Sequence, residues 1–99
     1  MLLHTVNKSP YQHQALNSCA EFCTADDALI LIEDGVYAIN HPDLALVHSL
    51  GTQVFAIEAD VKARGLTTLF TRASDQYELV DYDRFVALCV EYSQQKSWS

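Results

Sequence analysis

Two cysteines, Cys19 and Cys23, stand four residues apart in a stretch with helical periodicity, so a helix puts both thiols on one face. The chemistry open to such a pair is a thiol relay or a sulfur-accepting site, and Cys19 is the candidate acceptor. Core packing is the simpler account of the same residues. On a helical wheel Tyr11, Ala15, Leu16, Cys19, Ala20, Phe22 and Cys23 share one half, with the two cysteines near its middle. Free cysteine is among the most buried residue types, and no lysine or arginine neighbours either thiol in sequence to lower its pKa. Cys89 lies in a similar apolar arc with Phe85, Val86, Leu88 and Tyr92, and is read as core.

A second constellation is acidic. Glu33 and Asp34, Glu58 and Asp60, and Asp81 and Asp83 each follow an apolar run. Carboxylates gathered along one sheet edge could hold magnesium for phosphoryl transfer. Yet Asp34, Asp60 and Asp81 also stand where helix N-caps are wanted, and the first strand ends in Asn7-Lys8 with no acid to contribute. Lys8 with Ser9 at a helix start could bind an anion, although no glycine-rich loop accompanies them and capping alone accounts for Ser9 and Pro10. The histidines (His4, His13, His41 and His48) show no metal-ligand spacing with the cysteines, and His4 falls inside a strand, where it can bond within the sheet or at an interface. There is no nucleophile elbow, P-loop or dinucleotide fingerprint. None of these constellations asks for a cofactor or a metal. Trp98 is unusual on a polar tail, and a lone tryptophan there packs back on the domain or into a partner.

The elements that must position these residues alternate between strand and helix. Ala28 to Ile32 is an unbroken apolar run that stops at Glu33-Asp34-Gly35, which predicts a central strand covered on both faces. Met1 to Val6 is a first strand. Ser9, Pro10 and Gln12 form a capping box that opens a helix over Pro10 to Cys23. Val36 to Ile39 is a short helix or turn, Leu44 to Leu50 a helical piece closed by Gly51, and Gln53 to Ile57 a strand. Asp60 caps a short helix that Gly65 ends, residues 66–73 are ambiguous with room for one helical turn, and Tyr77 to Val80 is the last strand. Asp81 caps a terminal helix from Tyr82 to about Gln94, and Ser97-Trp98-Ser99 is a tail. The expected fold is therefore α/β, a three-layer, mainly parallel sheet of about four strands flanked by helices.

Residues 1–99 suffice for a single domain. With 49% hydrophobic residues the chain is apolar for its size, which points to surface covered by another subunit. The net charge of −7 and a pI of about 4.7 argue against direct nucleic-acid binding, because phosphate contacts need Lys and Arg. Three cysteines without framework spacing are expected as reduced thiols in the cytoplasm. No secretory leader is expected, and no apolar run approaches the roughly 20 residues of a membrane span.

Several segments taken together resemble the DsrH/TusB family: Leu3-His4-Thr5-Val6-Asn7-Lys8-Ser9-Pro10, Glu33-Asp34-Gly35-Val36-Tyr37-Ala38, Asp60-Val61-Lys62-Ala63-Arg64-Gly65-Leu66, and Val80-Asp81-Tyr82-Asp83-Arg84-Phe85-Val86, with a tryptophan near the C-terminus. The resemblance runs in the same order over nearly the whole chain. It implies a DsrEFH-like fold and a mainly structural, non-catalytic subunit of a sulfur-relay (sulfurtransferase) complex. The implied partners are DsrE/TusD-like and DsrF/TusC-like subunits in a heterohexamer. One branch of the family passes persulfide sulfur towards 2-thiouridine at the tRNA wobble position; another serves sulfur trafficking during sulfur oxidation. The main persulfide cysteine belongs to the DsrE/TusD-like partner, while members of the sulfur-oxidation branch carry a helix-one cysteine where Cys19 stands. Two readings from other classes stand beside this one: a small metal-dependent phosphoryl-transfer enzyme built on the strand-end acids, and an acidic interaction module without sulfur chemistry.

Overall fold

A computed structural model describes residues Met1 to Ser99. Five strands form one parallel sheet: β1 (Leu2–Val6), β2 (Ala28–Leu31), β3 (Gln53–Ile57), β4 (Tyr77–Val80) and β5 (Gln94–Trp98), in the spatial order β4-β3-β2-β1-β5. They are joined by helices α1 (Ala15–Ala20), α2 (Pro42–Ser49), α3 (Glu58–Ala63), α4 (Thr67–Arg72) and α5 (Tyr82–Glu91), with a 3₁₀ segment over Glu33–Asn40. The α/β class and the helix-flanked parallel sheet expected from the sequence are what the chain adopts, with five strands instead of about four.

Parallel crossovers are almost always right-handed. From β1 to β4 the sheet grows in one direction, so the connecting helices fall on one face. The step from β4 back past β1 to β5 reverses direction and carries α5 to the opposite face. The core divides accordingly. One cluster joins Val6, Leu29, Leu31 and Val54 to Leu16, Cys19 and Phe70, and a smaller one joins Leu3, Ile30, Phe55 and Ile57 to Leu88 and Tyr92 of α5. All four residues of β2 are buried, as its unbroken apolar run predicts.

Four local expectations need correction. The helix placed over Pro10–Cys23 is two pieces. A turn at Pro10–Gln12 closes on Ser9, whose carbonyl accepts from the N–H groups of Gln12 and His13 at 3.2 and 3.0 Å; α1 begins only after Gln14. Ser9 thus caps that turn, its hydroxyl accepting from Tyr11 N–H at 3.3 Å. Asp60 lies inside α3, which starts two residues earlier at Glu58, so it is not the cap. Residues 66–73 hold a full short helix, α4, beyond one turn. Finally, α5 stops at Glu91 and the expected tail is a fifth strand, β5, paired along all of β1 from Leu2↔Gln94 to Val6↔Trp98. Polar Gln94-Gln95-Lys96 carries no strand periodicity. The open edge of β1 recruits it through backbone pairing, which needs no side-chain signature. Asp81 does cap α5, accepting from Arg84 N–H at 2.8 Å.

Gly35 shows how tightly the 3₁₀ segment sits on the sheet end. A Cβ there would land on the Val6 carbonyl, 2.9 Å from its carbon, and that carbonyl already accepts from Ile32 N–H at 3.0 Å. Backbone cannot yield as a side chain does, so Gly35→Ala should lower stability by about 1–3 kcal/mol, read as a reduced midpoint in urea unfolding at unchanged slope.

Candidate functional site

Alternation along β1 decides which residues meet α1. Leu3 packs into the α5-side cluster, which turns His4 and Val6 towards α1. On α1, Cys19 faces the sheet, and the turn after the helix continues its spacing: Phe22 and Cys23 N–H both donate to Cys19 O, at 2.9 and 3.0 Å. Cys23 therefore lies one turn beyond Cys19, with the two sulfurs 3.5 Å apart. Cys19 is fully buried, whereas Cys23 keeps 9% of its surface accessible. Both thiols and a ring nitrogen of His4 lie within 4.8 Å of one another. Cys89 sits half-buried against the α5-side cluster, on the far side of the sheet.

His4 is buried at the centre of the sheet, where an imidazole must find partners. Its Nε2 meets Asp27 Oδ2 at 2.9 Å, and its Nδ1 accepts from Trp98 Nε1–H at 3.0 Å. Trp98 being only a donor, the neutral ring carries its proton on Nε2 and donates it to Asp27. Asp27, itself buried, also accepts from Leu2 N–H at 2.9 Å and Thr24 N–H at 3.2 Å. Burial would raise the Asp27 carboxyl, but the hydrogen bonds from His4, Leu2 and Thr24 prevail and hold it below the usual 3.8. For His4, burial disfavours the charge, yet Cys23 and Asp27 outweigh it and raise the ring above 6.5. The Cys19 S–H donated to the Cys23 sulfur is the main cause that brings Cys23 down to about 6 against burial, with His4 assisting; the same bond and burial raise Cys19. The pair is thus one thiol that holds its proton beside one that readily becomes a thiolate.

Aromatic and cationic side chains border this cluster. Phe22, Trp98 and the His4 ring stand 5.9–6.3 Å apart, and the Lys96 ammonium lies 4.7 Å from the Trp98 ring centre and 5.8 Å from that of Phe22. Both nitrogens of His4 are engaged, which leaves two thiols for any metal ion, too few for a closed tetrahedral site.

The strand-end acids go elsewhere. Arg64 bridges Asp34 at 3.0 Å and Asp60 at 3.7 Å, and Asp60 also accepts from Glu33 N–H at 2.8 Å, holding Glu33 in a left-handed conformation with φ of 49°. Asp81 is tied up as a cap. Ser9 and Asp34 line an open groove of about 360 Å³ with Tyr11, Gln12 and Tyr37, and an acid in that lining disfavours an anion there.

The sequence reading paired Cys19 with Cys23, took Cys19 as the candidate acceptor and expected Trp98 to pack back on the domain or into a partner; it missed Asp27 and the hydrogen bond that joins Trp98 to His4. A signal was present in His4, a polar residue in an apolar strand that must be paired if buried. The register Leu3↔Ala28 brings Asp27 beside it, but only after the sheet has formed.

Asp27→Ala strands three donors at once and should cost about 3 kcal/mol in urea unfolding, with Asp27→Asn costing less. Because the folded carboxyl lies below its unfolded value of 3.8, its contribution is complete above that pH and disappears as pH falls through the folded value; the alanine variant loses this dependence. A second readout uses Trp98, the sole tryptophan. Charging His4 puts a proton on Nδ1 and displaces the Trp98 bond, so tryptophan fluorescence should change on acidification with a midpoint above 6.5 and stay flat in His4→Gln.

Comparison with known proteins agrees with the sequence resemblance. A family model described as "DsrH like protein" matches residues 8–95. Curated relatives named Protein TusB, from Yersinia enterocolitica and Pectobacterium parmentieri, are each 36% identical over 99 residues, covering 98% of this chain and 100% of the relative. Protein TusB of Photorhabdus laumondii is 34% identical over the same span. The family model, these full-length matches and the parallel helix-flanked sheet agree: the chain belongs to the DsrH/TusB family.

Proposed function

We propose that this chain is a mainly structural subunit of a cytoplasmic sulfur-relay complex that supports persulfide transfer for 2-thiouridine formation at the tRNA wobble position. Its partners are DsrE/TusD-like and DsrF/TusC-like subunits in a heterohexamer, and it touches no nucleic acid directly. The TusB name of the curated relatives supports the tRNA branch. A net charge of −7 supports a role in assembly over contact with tRNA. The three free thiols accord with a reducing compartment, and no helix is long and apolar enough to cross a membrane.

The observation that carries the assembly reading is the outer face of α5. Tyr82, Val86 and Val90, at four-residue spacing, are 58%, 62% and 81% exposed, and form an apolar stripe on the one helix that covers its side of the sheet. A helix stripe left open to water is a natural contact for another subunit. Sulfur handling on this chain we place in the pocket that Cys19 shares with Cys23. That pocket also favours a second reading, sulfur trafficking during sulfur oxidation, since a helix-one cysteine at the position of Cys19 belongs to that branch of the resemblance.

Co-expression with DsrE-like and DsrF-like subunits tests the proposal. A stable complex by size-exclusion chromatography with light scattering is expected, and a chain that stays apart from both overturns it. Val86→Asp with Val90→Asp should leave the circular dichroism unchanged and weaken assembly by about 2 kcal/mol, about thirtyfold in Kd. Co-purification from the native cell separates the branches: thiolation enzymes support the tRNA reading and sulfite-reductase components the sulfur-oxidation one.

A further inference from the structure

The two paired cysteines differ in burial. Cys19 has no exposed surface, so a sulfur donor cannot meet it unless the fold opens. Cys23, at the end of the helical turn, is 9% exposed. Its surroundings suit an anionic donor. Lys96 hangs over the rings of Phe22 and Trp98, and Asp27, whose charge opposes a thiolate at Cys23, is hydrogen-bonded to His4 and two backbone donors. The two sulfurs lie 3.5 Å apart, close enough for one thiol to donate to the other.

We propose that Cys23 is the thiol at which sulfane sulfur from a persulfide donor enters this chain, and that Cys19 is a positioning residue which donates its S–H to the Cys23 sulfur. The proposal rests on the sulfur-relay reading and goes beyond it in naming the entry atom. In the step itself the Cys23 thiolate attacks the terminal sulfur of the donor's R–S–SH group. A bond forms between Cys23 Sγ and that sulfur, the donor S–S bond breaks, and the donor departs as its thiolate R–S⁻. The transferred sulfur keeps its hydrogen, so Cys23 becomes a persulfide, and charge and electrons balance without an added oxidant. Cys19 keeps its proton throughout. The groups that bear on the Cys23 charge are Cys19 on α1, His4 on β1 and Asp27 before β2, with Lys96 on β5 lying beyond them over the Phe22 and Trp98 rings.

The test gives the full chain, alone and co-expressed with its DsrE-like and DsrF-like partners, glutathione persulfide as donor. Chymotrypsin, cutting after Phe22, separates Cys19 from Cys23 for mass spectrometry. One added sulfur on the Cys23 peptide is expected, with loading lost in Cys23→Ser. Iodoacetamide labelling of Cys23 should rise with a midpoint near pH 6, move up towards the ordinary 9.0 in Cys19→Ala, and be largely restored in Cys19→Ser, which still donates. If Cys23→Ser fails to fold, the mapping on the unaltered chain decides alone. Sulfur on Cys19 only, or an assembled complex in which neither cysteine loads, overturns this proposal and leaves the relay reading standing. Failure of the complex to assemble overturns the relay reading instead.

Discussion

A parallel sheet cannot reverse the direction in which it grows without sending the next connecting helix to its other face. That constraint shapes this molecule. Three forward steps from β1 to β4 put α1 to α4 on one side, and the single backward step to β5 puts α5 alone on the other. The reversal also makes β1 an interior strand, with β2 on one side and β5 on the other. A histidine in β1 is then enclosed on all sides, and the tryptophan at the end of β5 is brought above it.

Enclosure sets the chemistry of the pocket. A buried imidazole is costly unless both nitrogens are paired, and a buried carboxylate more so. Asp27, His4 and Trp98 satisfy one another in series, and Asp27 also collects the N–H groups of Leu2 and Thr24. The two thiols beside this series of hydrogen bonds lie 3.5 Å apart and differ in burial, Cys19 being fully buried and Cys23 slightly less so. Hydrogen bonding from Cys19 is the largest cause that lowers Cys23, and the His4 ring adds to it.

The two faces divide the work. The α1 side carries the larger core and the two paired thiols, while the α5 side carries a smaller core beneath a helix whose outer stripe is apolar. The acids that looked like a metal-binding edge serve the chain itself. Arg64 draws Asp34 and Asp60 together and so ties the 3₁₀ segment to α3, and Asp81 starts α5.

Much of the architecture was legible in the residues. The unbroken run Ala28-Leu29-Ile30-Leu31, with its abrupt Glu-Asp-Gly stop, favours a strand buried on both faces over a buried helix, and the alternation of apolar runs with capped helical segments implies a parallel sheet. The four-residue spacing of Cys19 and Cys23 brings their thiols together through local geometry alone. The strand at Gln94–Trp98 was illegible because backbone pairing to an open edge leaves no pattern in side chains. The pocket was illegible for a related reason. His4, Asp27 and Trp98 are separated by 23 residues in one case and 94 in another, and only the sheet register makes them neighbours. Sequence determined which thiols are paired; the tertiary structure decided how their surroundings differ, because burial and hydrogen bonding belong to the folded surroundings and not to the residue.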